Sequence, residues 1–263
     1  MAAILRGVST AETLDVSILV PCYNEALNIS TLMERLTEAM QGRAERWEAV
    51  LVNDASRDDT QRVLDECAKK YPQLAPQRHE TNRGMVEGWA TGCAAARGRV
   101  VVVMDADLQY APSDVPRLLD ELARSGADMS QGYREQTVEQ SPMRKVLSKS
   151  LSAFLNFAFG TRLRDAKSNF FACRREALSD LLSLRCRYRY FQHLFSMAAV
   201  AKGYRIVQIP VVFHPRHAGE SFIQNPLAFS LRALPDLPRA WWDFRKLRRE
   251  SRVRAAEHRS AGA

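Results

Sequence analysis

Two hydrophobic rhythms alternate along the first half of the chain. Asp15 to Val20 (DVSILV) is a short, nearly continuous apolar run stopped by Pro21, which predicts a buried strand. Ile29, Leu32, Met33, Leu36 and Met40 then recur at helical spacing, so Asn28 to Met40 is expected to be an amphipathic helix. Trp47 to Val52 reads as a second strand, ending in Asn53-Asp54. Asp58 or Asp59 is placed to cap the next helix, whose Val63, Leu64, Cys67 and Tyr71 face the core. A weaker strand is expected near Gln77 to Glu80, a helix from Gly84 to Arg97 and a strongly apolar strand over Val100 to Met104. A helix over Asp114 to Arg124 and a strand over Ala127 to Gly132 follow. This alternation predicts an α/β fold with a Rossmann-like, mostly parallel sheet and helices on both faces.

The second half is less regular. Met143, Val146, Leu147, Leu151, Phe154, Leu155 and Ala158 line one helical face. Asp165 to Arg174 reads as a polar connection and Tyr190 to Ala201 as helix. Arg205 to Phe213 reads as a strand carrying Pro210, hence an edge or bent strand. From Asp236 a last helix sets Leu237, Trp241, Phe244 and Leu247 on one side.

Open parallel sheets bind ligands beyond the carboxyl ends of their strands. Here those ends read Pro21-Cys-Tyr-Asn-Glu25, Asn53-Asp54-Ala-Ser56 and Asp105-Ala-Asp-Leu-Gln109, all polar or acidic. Two carboxylates spaced i, i+2 after a buried strand repel one another. A hard divalent cation resolves that repulsion, and Gln109 adds a neutral oxygen two residues on. Taken alone, the triplet fits equally a capping Asp105 and a solvated Asp107.

Composition narrows the setting. At 263 residues the chain can bury a sizeable core as one large or two small domains. Its five cysteines are odd in number, scattered and without a CxxC pair, which points to reduced thiols and a cytoplasmic protein. Met1 to Thr10 lacks the apolar core of a secretory signal, and no stretch is apolar for long enough to predict a transmembrane helix. The net charge of +8 is uneven, because the residues from Arg239 onward carry +5 of it. Such a tail suits an anionic surface, either membrane phosphates or nucleic acid. A nucleic-acid-binding protein would account for the tail but not for the acidic strand ends, since acidic clefts repel phosphates unless a metal intervenes.

PCYNE, VNDAS and MDADLQYAP, followed downstream by RHAGES, resemble the family 2 glycosyltransferases of the GT-A fold. Within that family the likeness is to dolichol-phosphate mannose synthases and bacterial polyprenyl-phosphate glycosyltransferases, and it runs from about Val16 to Ser221. The resemblance implies a nucleotide-diphospho-sugar transferase whose Pro21, Tyr23 and Glu25 line the nucleotide pocket, with Val52 and Asp54 holding the base. Asn53 stands where the family usually has another aspartate. Asn82, Arg83 and Gly84 match a turn beside the nucleotide. Asp105, Ala106, Asp107 and Gln109 would contact the donor diphosphate, with Asp105, Asp107 and Gln109 as ligands of Mg2+ or Mn2+.

By the same resemblance, Asp107, Arg134, Ser168 and Arg216 carry the reaction, with Arg134 and Arg216 orienting phosphates. Ser168 belongs to a stretch in which Asn169 replaces a glycine, and asparagine is the residue that best tolerates a left-handed backbone after glycine. Phe222 replaces the lysine that commonly follows Ser221, leaving Lys167 or His217 to compensate. The implied reaction is inverting transfer from a nucleotide-sugar donor (GDP-mannose or UDP-hexose type) to a polyprenyl-phosphate lipid, dolichyl or undecaprenyl. The alternative acceptor is a glycan or lipid hydroxyl, for which Asp165 would be the base. Residues 14–225 are expected to form the GT-A domain. Residues 226–263 would then form a basic amphipathic segment making peripheral contact with the cytoplasmic face of a membrane, with the helix from Met143 to Phe159 beside it.

Overall fold

The computed structural model describes residues 14–137, 142–219 and 235–261. Ser221, Phe222, the side chains of Met143, Val146 and Leu147, and the boundary expected after residue 225 lie outside the described residues.

Seven strands form one sheet: β1 (Leu14–Cys22), β2 (Trp47–Asn53), β3 (Leu74–Arg78), β4 (Gly98–Val103), β5 (Met129–Thr137), β6 (Phe171–Arg174) and β7 (Ile206–Phe213). Their order is β3-β2-β1-β4-β6-β5-β7. The first four run parallel, β5 and β7 run parallel to one another, and β6 lies antiparallel between β4 and β5. The expected mostly parallel sheet is therefore present, with one insertion. Asp165 to Arg174 is not merely a connection, because its last four residues form a central strand. That strand's first three residues are consecutively buried and show no alternation, so the pattern gave no strand signal there. β3 begins three residues before the expected position. β5 runs on to Thr137, which puts Arg134 inside a strand rather than after one. β7 is an edge strand, and its Pro210 sits opposite Tyr133 beside a bulge.

Helices α1 (Ala26–Met40), α2 (Thr60–Lys70), α3 (Met85–Ala95), α4 (Val115–Ser125), α5 (Pro142–Phe159), α6 (Arg175–Leu182), α7 (Phe195–Lys202) and α8 (Asp236–Ala261) cover the sheet. Alternation along the strands divides the core. Val16, Ile18, Val20, Ala49, Leu51 and Val102 pack under α1, α2 and α4, while Leu19, Val50, Val52, Val101 and Val103 pack under α3 and the C-terminal helices. Trp89 of α3 centres the second face, edge-on to Phe171 at 5.9 Å and to Phe195 at 5.5 Å.

The final helix differs from its sequence reading. Ala240 and Phe244 of α8 are buried, with Leu237 and Leu247 packed on the same cluster. Phe244 meets Phe159 of α5 at 5.4 Å, and the Arg248 guanidinium donates to the carbonyl of Phe159. The apolar line of Phe244 and Leu247 thus faces protein rather than lipid. Trp241, Trp242 and Val253 stand outside, 39%, 70% and 56% exposed. No helix among the described residues is long and apolar enough to cross a membrane.

Candidate active site

Each of the three acidic or polar strand ends contains one non-glycine residue in the left-handed region: Asn24 (φ 56°), Ala55 (φ 57°) and Leu108 (φ 61°). Among the described residues no other non-glycine residue has a positive φ. Asn169, at the position where the family has glycine, is not left-handed; its amide donates to the Met85 sulfur at 3.5 Å. Such conformations are unfavourable for alanine and leucine by about 1 kcal/mol or more, and persist only where surrounding contacts impose them.

Those contacts tie the first two loops together. Ser56 Oγ accepts from the Asn24 N–H at 2.9 Å, and Asn24 Oδ1 accepts from the Arg57 N–H at 2.8 Å. Asp58 serves two helices, because its carboxylate accepts from Thr60 N–H at the start of α2 and from Ala26 N–H at the start of α1. That explains why an aspartate stands there, and it settles the capping role on Asp58 rather than Asp59.

Asp54, immediately after β2, is buried with both oxygens engaged. It accepts from Gly84 N–H at 2.7 Å, from Arg83 N–H at 2.8 Å, and pairs with His79 Nδ1 at 2.7 Å. His79 Nε2 meets Thr91 Oγ1 at 2.8 Å. Sequence reading missed His79 and Thr91, whose link to Asp54 is purely spatial. Gly84 itself (φ 88°) needs glycine's freedom to open α3 at this point. Val52, expected to hold a base, is 1% exposed, and its side chain packs with Leu19 against Gly92 of α3. Pro21, the penultimate residue of β1, and Tyr23, just after it, are half-buried, and Ala106 is buried within the loop after β4.

Glu25, Asp105 and Asp107 form the acidic rim. Burial, and after it the Asp107 charge, pushes the Asp105 carboxyl up to about 7; burial raises Asp107 and Glu25 too. Arg216 reaches in between, 2.7 Å from Glu25 Oε1 and 3.0 Å from Asp107 Oδ2. Three carboxylates against one guanidinium leave an excess of negative charge with hard oxygen donors, which fits a divalent cation. Among the described residues no group of three or more His, Cys, Asp or Glu could hold a metal by itself. Asp105 and Asp107 would thus need oxygens from a ligand to complete a shell, as small hard cations on phosphates commonly do. The third expected donor, Gln109, uses its backbone N–H on Asp107 Oδ1 and its side-chain amide on the His214 carbonyl.

A second cluster lies beside the first. Arg134 grips Asp165 through two bonds of 2.6 and 3.1 Å and stacks over Phe213 at 5.3 Å. Burial opposes ionisation of Asp165, but the Arg134 charge and hydrogen bonds overrule it and hold the carboxyl below its ordinary range. Lys167 is driven down to about 8 by burial and then by Arg134. Ser168 Oγ meets Tyr110 OH at 3.1 Å, while Gln131 Nε2 donates to the Ser168 carbonyl at 2.8 Å. The structure therefore brings Arg134, Asp165, Lys167 and Ser168 together, two cations against one carboxylate.

Comparison with known proteins follows this geometry. The sequence profile described as "Glycosyl transferase family 2" matches residues 17–182. The chain is 33% identical over 221 residues to a dolichol-phosphate mannosyltransferase of Pyrococcus furiosus, covering 81% of this chain and 60% of that one. It is 29% identical over 223 residues to a dodecaprenyl-phosphate galacturonate synthase of Rhizobium johnstonii, covering 82% and 64%. It is 31% identical over 214 residues to a polyprenol monophosphomannose synthase of Mycolicibacterium smegmatis, covering 78% and 79%. The chain thus spans less than two thirds of the first two relatives. Among solved structures, glucosyl-3-phosphoglycerate synthase from Mycobacterium tuberculosis with Mn2+, UDP-glucose and phosphoglyceric acid superposes with a TM-score of 0.60 at 18% identity, covering 87% of this chain and 80% of that one. At that identity the likeness concerns the fold.

Proposed function

Because the chain belongs to glycosyl transferase family 2, we propose that it moves a sugar, with inversion, from a nucleoside diphosphate sugar to the phosphate of a polyprenyl lipid. The observation that carries the choice of acceptor is the state of Asp165. A hydroxyl acceptor needs a base, and both oxygens of Asp165 are held by Arg134 with its carboxyl below the ordinary range. A carboxylate so held is a poor proton acceptor. A phosphate acceptor is already anionic near neutral pH and needs only to be gripped and aimed. Arg134 and Lys167, with one carboxylate between them, supply the positive charge for that grip. Two relatives whose names specify polyprenol or dolichol phosphate mannose chemistry support the same reading.

On the donor side, the loop after β1 and the Asp54-organised turn at Gly84 frame the nucleotide, as GDP-mannose or a UDP-hexose. Mg2+ or Mn2+, held by Asp105 and Asp107, would supply countercharge to the diphosphate as it leaves. Ser168, fixed by Tyr110 and Gln131, follows three residues after Asp165, the partner of Arg134. The deciding experiment offers purified protein a nucleotide sugar with undecaprenyl phosphate in detergent. An acid-labile lipid-linked sugar phosphate is expected, and an acid-stable glycoside formed on an alcohol would sink the assignment.

Lys167 gives this reading a pH signature. Its neighbours in charge are Arg134 from β5, Asp165 from its own loop and His193 from the turn before α7. The ammonium is present below about 8 and lost above it, so rate at low acceptor should fall as pH rises through that value. Lys167→Arg should abolish that alkaline fall while the acceptor KM stays near the parent's. A fall that persists in the variant would clear Lys167 of the role.

Approach to the lipid is assigned to α5 and α8. Phe157 (88% exposed) and Phe154 (49%) stand out from α5, and Trp241 and Trp242 from α8, with the Arg245 guanidinium 4.3 Å over Trp241. Exposed aromatics beside cations suit the interface of an anionic bilayer. The double variant Phe157→Ser with Trp242→Ser should pellet several-fold less with phosphatidylglycerol liposomes, and undiminished pelleting would refute this surface.

A further inference from the structure

Arg216 already fills the cationic role at the acidic rim. Its guanidinium bridges Glu25 and Asp107, whose side chains are 11% and 8% exposed against 21% for its own. The segment that carries it is strapped across the rim by backbone bonds. His217 N–H donates to the Asp107 carbonyl at 3.2 Å, and His214 N–H donates to the Gln109 carbonyl at 2.8 Å. Gln109 returns a bond to His214 O at 3.3 Å, and Asn28 Nδ2 donates to Ala218 O at 3.2 Å.

We propose that Arg216 is a resident stand-in for the divalent ion, competing with it for the Asp107 carboxylate until a diphosphate arrives. The inference rests on Asp105 and Asp107 being the metal-holding pair. A guanidinium and a doubly charged ion drawn to one carboxylate repel each other strongly where water is scarce. Metal alone therefore has to displace Arg216, and the strap with it, without offering the arginine a new partner. A nucleoside diphosphate changes the balance, because its oxygens accept the paired donors of the released guanidinium. One residue thus opposes metal binding alone and favours metal together with nucleotide, which couples loading of the ion to arrival of the donor.

The test is Mn2+ binding to the full chain, followed by the electron paramagnetic resonance of the free ion. Without nucleotide, Arg216→Gln should bind Mn2+ roughly tenfold more tightly than the parent, a coupling of ordinary size, and Arg216→Lys should stay near the parent. With UDP or GDP present the order should invert, Arg216→Gln then holding the Mn2+ nucleotide pair more weakly. Asn28→Ala removes one strap anchor and leaves the guanidinium in place. It should shift Mn2+ affinity in the same direction by a smaller factor, which keeps the test open if Arg216→Gln fails to fold. Equal Mn2+ affinity in the parent and both variants would overturn the competition while leaving the metal pair standing. No Mn2+ binding by any form, with or without nucleotide, would overturn the metal pair and the competition together.

Discussion

Asp107→Asn is expected to lower sugar transfer by roughly a thousandfold or more while the protein still folds, since charge-stabilising groups at reacting centres are typically worth that much. The side chain keeps its size and can still accept the Gln109 N–H, so the loop after β4 retains its shape. What disappears is one of three carboxylates at a rim where burial already suppresses ionisation. Loss of the Arg216 contact is offset by relief of repulsion with Asp105, so thermal melting should change little. The check is turnover at saturating donor and acceptor alongside a melting curve. A variant that keeps most of its turnover would remove Asp107 from the metal pair.

Arg134→Met should be the most destabilising single change at the site. It leaves Asp165, whose side chain is 8% exposed, ionised without its partner. Breaking a buried pair from one side costs about 3–5 kcal/mol, and the partial exposure of Arg134 places the expectation toward the lower figure. Adding Asp165→Leu should recover most of that stability in urea melts, because two apolar side chains tolerate the interior better than one orphaned charge. Activity should stay lost in both variants, since the phosphate grip goes with the arginine. Equal stability of the single and double variants would show that the pair is not a coupled unit. The sign with pH follows from the lowered carboxyl of Asp165. Its contribution is complete above the ordinary aspartate range, and it disappears as pH falls through the depressed folded value.

The acidic strand ends were legible in the sequence because they obey local rules. Buried strands announce themselves by composition, and acidic residues immediately after them stand out against it, so Asp54, Asp105 and Asp107 could be placed together before any coordinates. The rest depends on contacts that no local rule encodes. Glu25 and Arg216 are separated by 191 positions, and nothing near either one names the other. Asp54 looked like a ligand-facing acid, whereas its oxygens organise the turn at Gly84 through His79 and two N–H groups. Phe244 and Leu247 form a proper apolar stripe, but a stripe does not say whether protein or lipid will cover it. β6 was invisible because three consecutive buried residues carry no period. The left-handed Ala55 and Leu108 run against residue preference, which is where local reading fails by construction.

The position of β6 also bears on how the molecule comes into being. β5 has no neighbour in the sheet except β6 and β7, and β4 reaches β5 only across β6. A growing chain can therefore assemble β1 to β4, and with them the acidic strand ends, well before Phe171 to Arg174 has been made. Until that ribbon is threaded in, β4 keeps a bare apolar margin, and Arg134 has no sheet to stand on. The half that would receive the lipid matures last. A ribosome-stalled fragment ending near residue 165 would then carry the acidic strand ends and a sticky edge, awaiting the strand that closes it.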